Sequence, residues 1–270
     1  MTICIAAICE NGKNIVVAAD RMFTSPLNVE FETEEHKIEI VSKFCVAMAA
    51  GGSAYATEVI DPVRSIFGKR DDALVPDIAN AILNQYKVVR NQKLEEQVVL
   101  PMLGNDFLVH RAKNFTVAQY LQPQANVYQQ IVAISSNYNL NLELLIVGID
   151  KTGAHIFSVS HPGTGFNLDK LGYSAVGSGA IHAVISLSLT AQTTHRELME
   201  TLYTVYDAKK SAEVAPGVGR VTDIAVIEES GIWNCPQELF DTLESVSSDC
   251  HKKNLPDLKR VKEIYDKQHK

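Results

Sequence analysis

The 270-residue chain has no long apolar run, no C-x-x-C pair and no surplus of positive charge. No stretch approaches the roughly 18–20 consecutive apolar residues of a membrane-spanning helix. The N-terminal segment lacks a basic leader, and Glu10-Asn11-Gly12-Lys13 cuts its apolar run short, so no secretory signal is expected. Five cysteines, an odd number at scattered positions, fit reduced thiols and not a disulfide framework. Without paired cysteines a zinc site is not expected, and no cofactor or metal is called for. The net charge of −7 argues against a nucleic-acid partner. The last twenty residues are locally basic but interspersed with Asp and Glu, which reads as a solvated helix face. No period of 20–50 residues repeats, so the chain is no solenoid. A soluble, cytoplasmic protein is expected, with no membrane partner.

What the chain does have is apolar mass, 46% of its residues, enough for a large core. Thr2–Cys9 and Asn14–Ala19 read as buried strands around Asn11-Gly12, a hairpin signal. Lys37–Val41 and Phe44–Ala50 form a second pair. Helices follow at Ser53–Phe67, with Pro62 as a kink or break, and from Asp77 to about Val99. Strands return at Leu142–Ile149 and His155–Val159, around a tight turn at 150–153, and at Tyr173–Val176. Two further helices are predicted, near Ala180–Thr190 and after a capping box in which Thr194 caps and Glu197 reaches back. Thr222–Ile227 is a last core strand. Grouped strands separated by paired helices suit two stacked sheets covered on each outer face by a helix pair, an α+β fold, and not a βαβ parallel sheet. The expected division is one domain over 1–235, carrying an insertion at about 94–137, and a helical C-terminal extension over 236–270 with helices on both sides of Pro256.

Thr2 stands at the head of the first strand, directly after Met1. Were Met1 removed, its hydroxyl and a free α-amine would form a nucleophile-plus-base unit, the amine having an ordinary pKa of roughly 7.7–8.0. Such a unit needs a cation beside the hydroxyl, an acid to hold the cation and backbone amides for the oxyanion. Asp20 ends the second strand, Lys37 begins the third, and Ala49-Ala50-Gly51-Gly52 forms a strand-to-helix junction where free N–H groups gather. Each also has a plainer reading. Asp20 suits a turn, Lys37 a surface, Gly51-Gly52 close packing, and Ser178 a helix N-cap. Cys4 and Cys9 read as inert core thiols, and His161 as an ordinary loop residue.

Thr2, Val16-Val17-Ala18-Ala19-Asp20-Arg21, His36-Lys37-Ile38 and Ala50-Gly51-Gly52-Ser53-Ala54 together resemble the N-terminal half of proteasome β-type subunits. They also resemble the peptidase subunit of the bacterial two-component ATP-dependent protease. Glu143–Asp150 with His155–Val159, Ala175-Val176-Gly177-Ser178-Gly179 and Val221–Ile227 are similar to later elements of that family, so the resemblance spans about residues 2–95 and 140–230. It implies a four-layer αββα N-terminal-nucleophile (Ntn) hydrolase sandwich and a threonine-type peptidase. In it, Thr2 is the nucleophile and its amine the base, Lys37 lowers the hydroxyl's pKa, Asp20 pairs with Lys37, and Ser178 bonds near the amine. The oxyanion falls at the Ala49 amide, or at Met48 if the alignment is anchored on Gly51-Gly52, with Gly51 adjoining. The implied partners are peptide or unfolded-protein substrates, a homo-oligomeric ring and an ATPase or regulator that feeds it.

The chain departs from the family in three places. Its first hairpin is two residues longer between Thr2 and Asp20. Ala49 or Met48 stands where active subunits have glycine. The late Asp-x-x-Ser element is replaced by Ala212–Gly219, where Ser211 and Glu213 are the available substitutes. A non-catalytic scaffold subunit and an amidase or transpeptidase for small substrates are the alternative readings.

Overall fold

The computed structural model describes residues 2–24, 29–70, 72–103 and 125–253. The middle of the expected insertion and the expected tail helix after Pro256, with its basic end, lie outside the described residues. The chain divides into two compact units, Met1–Asn234 and Cys235–Lys270. The fold is mixed α+β, with antiparallel sheets.

In the first unit β1 (Cys4–Cys9) and β2 (Asn14–Asp20) form the expected hairpin. Its loop turns through three left-handed residues in a row, Glu10, Asn11 and Gly12, at φ of 49°, 60° and 86°; glycine and asparagine tolerate this region best. A small hairpin of β3 (Met22–Thr24) and β4 (Glu30–Glu32) follows. Next come β5 (Ile38–Ser42) and β6 (Cys45–Gly51), then β7 (Leu142–Asp150), β8 (Gly153–Ser160) and β9 (Thr164–Asn167). β10 (Tyr173–Val176), β11 (Thr222–Glu228) and β12 (Gly231–Asn234) complete the strands. One five-stranded sheet runs β10-β1-β2-β11-β12, the other β5-β6-β7-β8-β9.

The two sheets share an apolar core. Cys4, Ala6 and Ile8 of β1 and Ile15, Val17 and Ala19 of β2 meet Met48, Ala50, Leu145 and Val147 of the other sheet. The alternate residues of β6 and β7, among them Ala47, Leu144 and Ile146, pack instead against α1 (Ser53–Phe67) and α2 (Val75–Leu94). Strands buried on both faces explain the near-continuous apolar runs. After α2 the helix passes through one π-type stretch, Glu95–Val99, to the short α3 (Leu100–Leu103), and α4 spans Ala125–Asn137. On the other side α5 (Ala180–Leu189) and α6 (Leu198–Ala212) pack on each other, with α6 against β1 and β2. In the second unit α7 runs Gln237–Lys253.

Two local expectations are corrected. Pro62 does not break α1. The carbonyl it leaves without an amide partner four residues back, that of Glu58, accepts a hydrogen bond from Gln85 Nε2 of α2 at 3.2 Å. The capping box at Thr194 does not form: α6 begins at Leu198, with Glu197 itself at the N-cap and no side-chain cap bond. The β1–β2 loop takes over that end. Glu10 N and Asn11 N donate to the carbonyls of Arg196 and Thr194 at 2.8 and 2.7 Å, and the Glu10 carboxylate accepts from Leu198 N at 3.3 Å.

Candidate active site

The β1–β2 register pairs Cys4 with Ala19, which puts Thr2 and Ile3 at the end of β1 beside Asp20 at the end of β2. Asp20 N donates to the Ile3 carbonyl at 3.2 Å. Both Thr2 and Asp20 are buried. The Lys37 ammonium donates to Thr2 Oγ1, the Thr2 hydroxyl donates to Asp20 Oδ1, and Lys37 Nζ lies 2.7 Å from the same carboxylate oxygen. Hydroxyl, ammonium and carboxylate therefore form one closed cluster.

Asp20 is fully buried, and a charge in that position must be heavily hydrogen-bonded. Its Oδ1 accepts from Thr2, Lys37 and Ile3 N, the last at 3.1 Å. Its Oδ2 accepts from Gly219 N at 2.7 Å and Met22 N at 3.3 Å. Five donors from four stretches of chain thus converge on one carboxylate. Beside it, Asp223 of β11 grips Arg21 with both oxygens and bonds His36 Nδ1 at 3.0 Å, next to Lys37 in sequence. That pairing holds the Arg21 guanidinium above its ordinary pKa.

Thr2 is held from its carbonyl side too. Gly179 N and Ser178 Oγ both donate to Thr2 O at 3.4 Å, and Ser178 Oγ also reaches Pro216 O at 3.2 Å. Ser178 is not the N-cap of α5; Gly179 is. Gly177, at φ +101°, comes so close that a Cβ there would lie 2.3 Å from Thr2 O. Its amide donates to Glu143 Oε2 at 2.9 Å, tying the two sheets together at this end.

The oxyanion candidates lie on β6. Ile38 pairs with Met48, and extending that register one step sets Ala49 opposite Lys37, where β5 has ended. Residues 49–51 thus have strand partners on β7 but none on β5. Met48 is buried in the inter-sheet core. Gly51 has a packing reason of its own: at φ +90° its Cβ would lie 1.9 Å from Asn141 O. Cys4, one residue pair along from Thr2, directs its sulfur at Ala49 O at 3.6 Å, and burial pushes its thiol up to about 12.

Of the substitutes for the late element, Glu213 binds Lys209 Nζ at 2.7 Å and Lys210 Nζ at 3.2 Å, and Ser211 sits on the last turn of α6. Neither has a hydrogen bond to Thr2 among the described residues. His161 lies in the β8–β9 turn and likewise has none. Two contributors carried no sequence signal: the Gly219 amide, because any residue but proline has one, and Glu143, which reads as an ordinary strand-edge carboxylate. Among the described residues no group of three or more His, Cys, Asp and Glu is arranged to hold a metal ion, and no helix is long and apolar enough to cross a membrane.

No protein-family model matches the chain, and no curated protein matches it in sequence.

Proposed function

We propose that this chain is a threonine-type peptidase of the proteasome-like family, with Thr2 as an N-terminal nucleophile and the two-sheet, two-helix-layer arrangement as an αββα Ntn-hydrolase sandwich. The observation that carries this reading is the closed contact of the Thr2 hydroxyl, the Lys37 ammonium and the Asp20 carboxylate at one end of the paired sheets. A lone buried threonine needs no ammonium. A hydroxyl that must become an alkoxide does, because the positive charge stabilises the oxygen as its proton leaves.

The chemistry requires cleavage on the N-terminal side of Thr2, so that its nitrogen becomes an amine able to take the hydroxyl proton. Thr2 Oγ1 then attacks the scissile carbonyl and the peptide nitrogen leaves with a proton, giving an ester on Thr2. Water hydrolyses the ester and releases the acyl product. Lys37 stays against Thr2 Oγ1, held by Asp20. Ser178 fixes the Thr2 backbone, and the β6 amide near Ala49 faces the developing oxyanion. Peptide or unfolded protein is the substrate on this reading, and a ring of identical subunits fed by an ATPase partner is its assembly.

The test combines intact mass with covalent labelling. Purified protein should show a mass beginning at Thr2, and a β-lactone or peptide epoxyketone should add once, at Thr2, in the wild type and not in Thr2→Ala. A chain that keeps a residue before Thr2 and takes no label is a non-catalytic subunit. Labelling with cleavage of small amides but not of peptides assigns the amidase instead.

A further inference from the structure

Lys209 is a lysine on α6 with no solvent exposure at all. Its neighbour Lys210 is partly exposed, and the sequence gives no sign of the difference. All three ammonium protons of Lys209 are used: on Glu213 Oε1 at 2.7 Å, on the Gly219 carbonyl at 2.8 Å and on the Arg220 carbonyl at 2.9 Å. Burial pushes its pKa below the ordinary lysine value while Glu213 pulls the other way. A buried ammonium is costly unless fully paired, and here the pairing has one geometric result. It closes the segment from Glu213 to Arg220 onto the end of α6.

That segment is held from its other side as well. Glu32 of β4 accepts from the amides of Arg220 and Val221. Between the two clamps, the Gly219 amide points at Asp20 Oδ2, 2.7 Å away, the shorter of the two bonds that oxygen accepts. We propose that Lys209 is a positioning residue for the Thr2 site: its ammonium fixes the 213–220 loop so that the Gly219 amide holds Asp20, and Asp20 in turn holds Lys37 against the Thr2 hydroxyl. This inference rests on the threonine-peptidase reading. It deepens that reading by giving Glu213 a task, as the counter-ion of Lys209, and by naming what stabilises Asp20 in place of the missing late Asp-x-x-Ser element.

The experiment is Lys209→Met in the full chain, with the exposed Lys151→Met as the control, read by hydrogen exchange of peptides covering 20–22 and 213–221 and by peptidase kinetics. Glu213→Gln, which keeps shape and removes the counter-charge of Lys209, carries the test if the methionine variant does not fold. Exchange in both segments should rise, and kcat should fall on the order of 10²-fold with KM within about twofold, since a displaced catalytic group costs turnover and not binding. The control should leave all three readouts unchanged. Unchanged exchange at 20–22, or a looser loop with undiminished kcat, overturns the inference. A wild type that neither labels nor cleaves, with exchange rising at both segments in Lys209→Met, defeats the peptidase reading instead and leaves the support of Asp20 through Gly219 in place.

Discussion

Asp20→Asn is the sharpest perturbation of the site, because it preserves shape and removes only charge and one set of acceptor lone pairs. The amide must choose an orientation. With its NH2 at the Oδ1 position it faces three donors, Thr2, Lys37 and Ile3 N. With its NH2 at the Oδ2 position it faces only the Gly219 and Met22 amides, so this is the less costly choice. The buried Gly219 N–H then loses its acceptor, at roughly 1–3 kcal/mol, and the partly buried Met22 N–H, whose bond is longer, loses less. Lys37 also loses its counter-charge, a smaller term because its side chain is 18% exposed and keeps some solvent. The sum is a loss of about 2–5 kcal/mol, a large share of the roughly 5–15 kcal/mol by which a domain is stable. Urea unfolding at pH 7, followed by circular dichroism, should show the midpoint falling accordingly with an unchanged slope, and β-lactone labelling of Thr2 should be lost. A variant destabilised by less than about 1 kcal/mol would refute the count of donors on which the estimate rests.

Lys37→Met should fold and lower the rate of Thr2 acylation on the order of 10²–10³-fold, the scale for losing one preorganised charge-stabilising group, as measured by time-resolved intact mass. Gly177→Ala should cost at least about 2 kcal/mol, since it combines a left-handed residue with a Cβ 2.3 Å from Thr2 O; thermal unfolding reads it, and an unshifted midpoint is the contrary result. Cys4 and Cys9, with thiols pushed up to about 12 by burial, should resist iodoacetamide at pH 8 in the native protein and react once it is unfolded, by peptide mapping. Lys209 predicts a pH dependence. Its folded pKa lies below the unfolded one, so between the two the unfolded chain binds more protons and stability rises with pH. That rise lies on the alkaline side, up to about pH 10.4, and should vanish from chemical-denaturation curves of Lys209→Met.

The strand and helix order was legible because burial writes itself into periodicity. β1 and β2 are packed on both faces, so their apolar runs are continuous. α1 and α2 are covered on one face, so their apolar residues recur with helical spacing. The elements that went unread are short and poor in buried residues: all of β9 and β4 is exposed, and none of β12 is fully buried. Strands like these are set by pairing with a neighbour already in place, and pairing leaves no pattern in a single strand. The capping box failed for a related reason. Thr194 and Glu197 have the right local chemistry, but Glu10, 188 residues away from Leu198 along the chain, reaches the helix end first.

The site divides along the same line. Thr2, Asp20 and Lys37 could be read because strand ends bring them together and each acts through its side chain. What holds Asp20 could not, because three of its five donors are backbone amides, at Ile3, Met22 and Gly219, where residue identity says almost nothing. Glu213 shows how this misleads: it is the nearest acid to the expected place and so invites a role beside Thr2, yet its carboxylate faces Lys209. The late side of the Asp20 cluster is therefore supplied by a loop's backbone, and Glu213 in that stretch pairs with Lys209 instead. A substitution scan across 211–220 should accordingly show little effect at Ser211 and a large one at Gly219, where any Cβ comes within 2.7 Å of the Glu32 carboxylate and 3.1 Å of Met22. Equal tolerance at the two positions, read by Thr2 labelling, would mean that this backbone is not what holds Asp20.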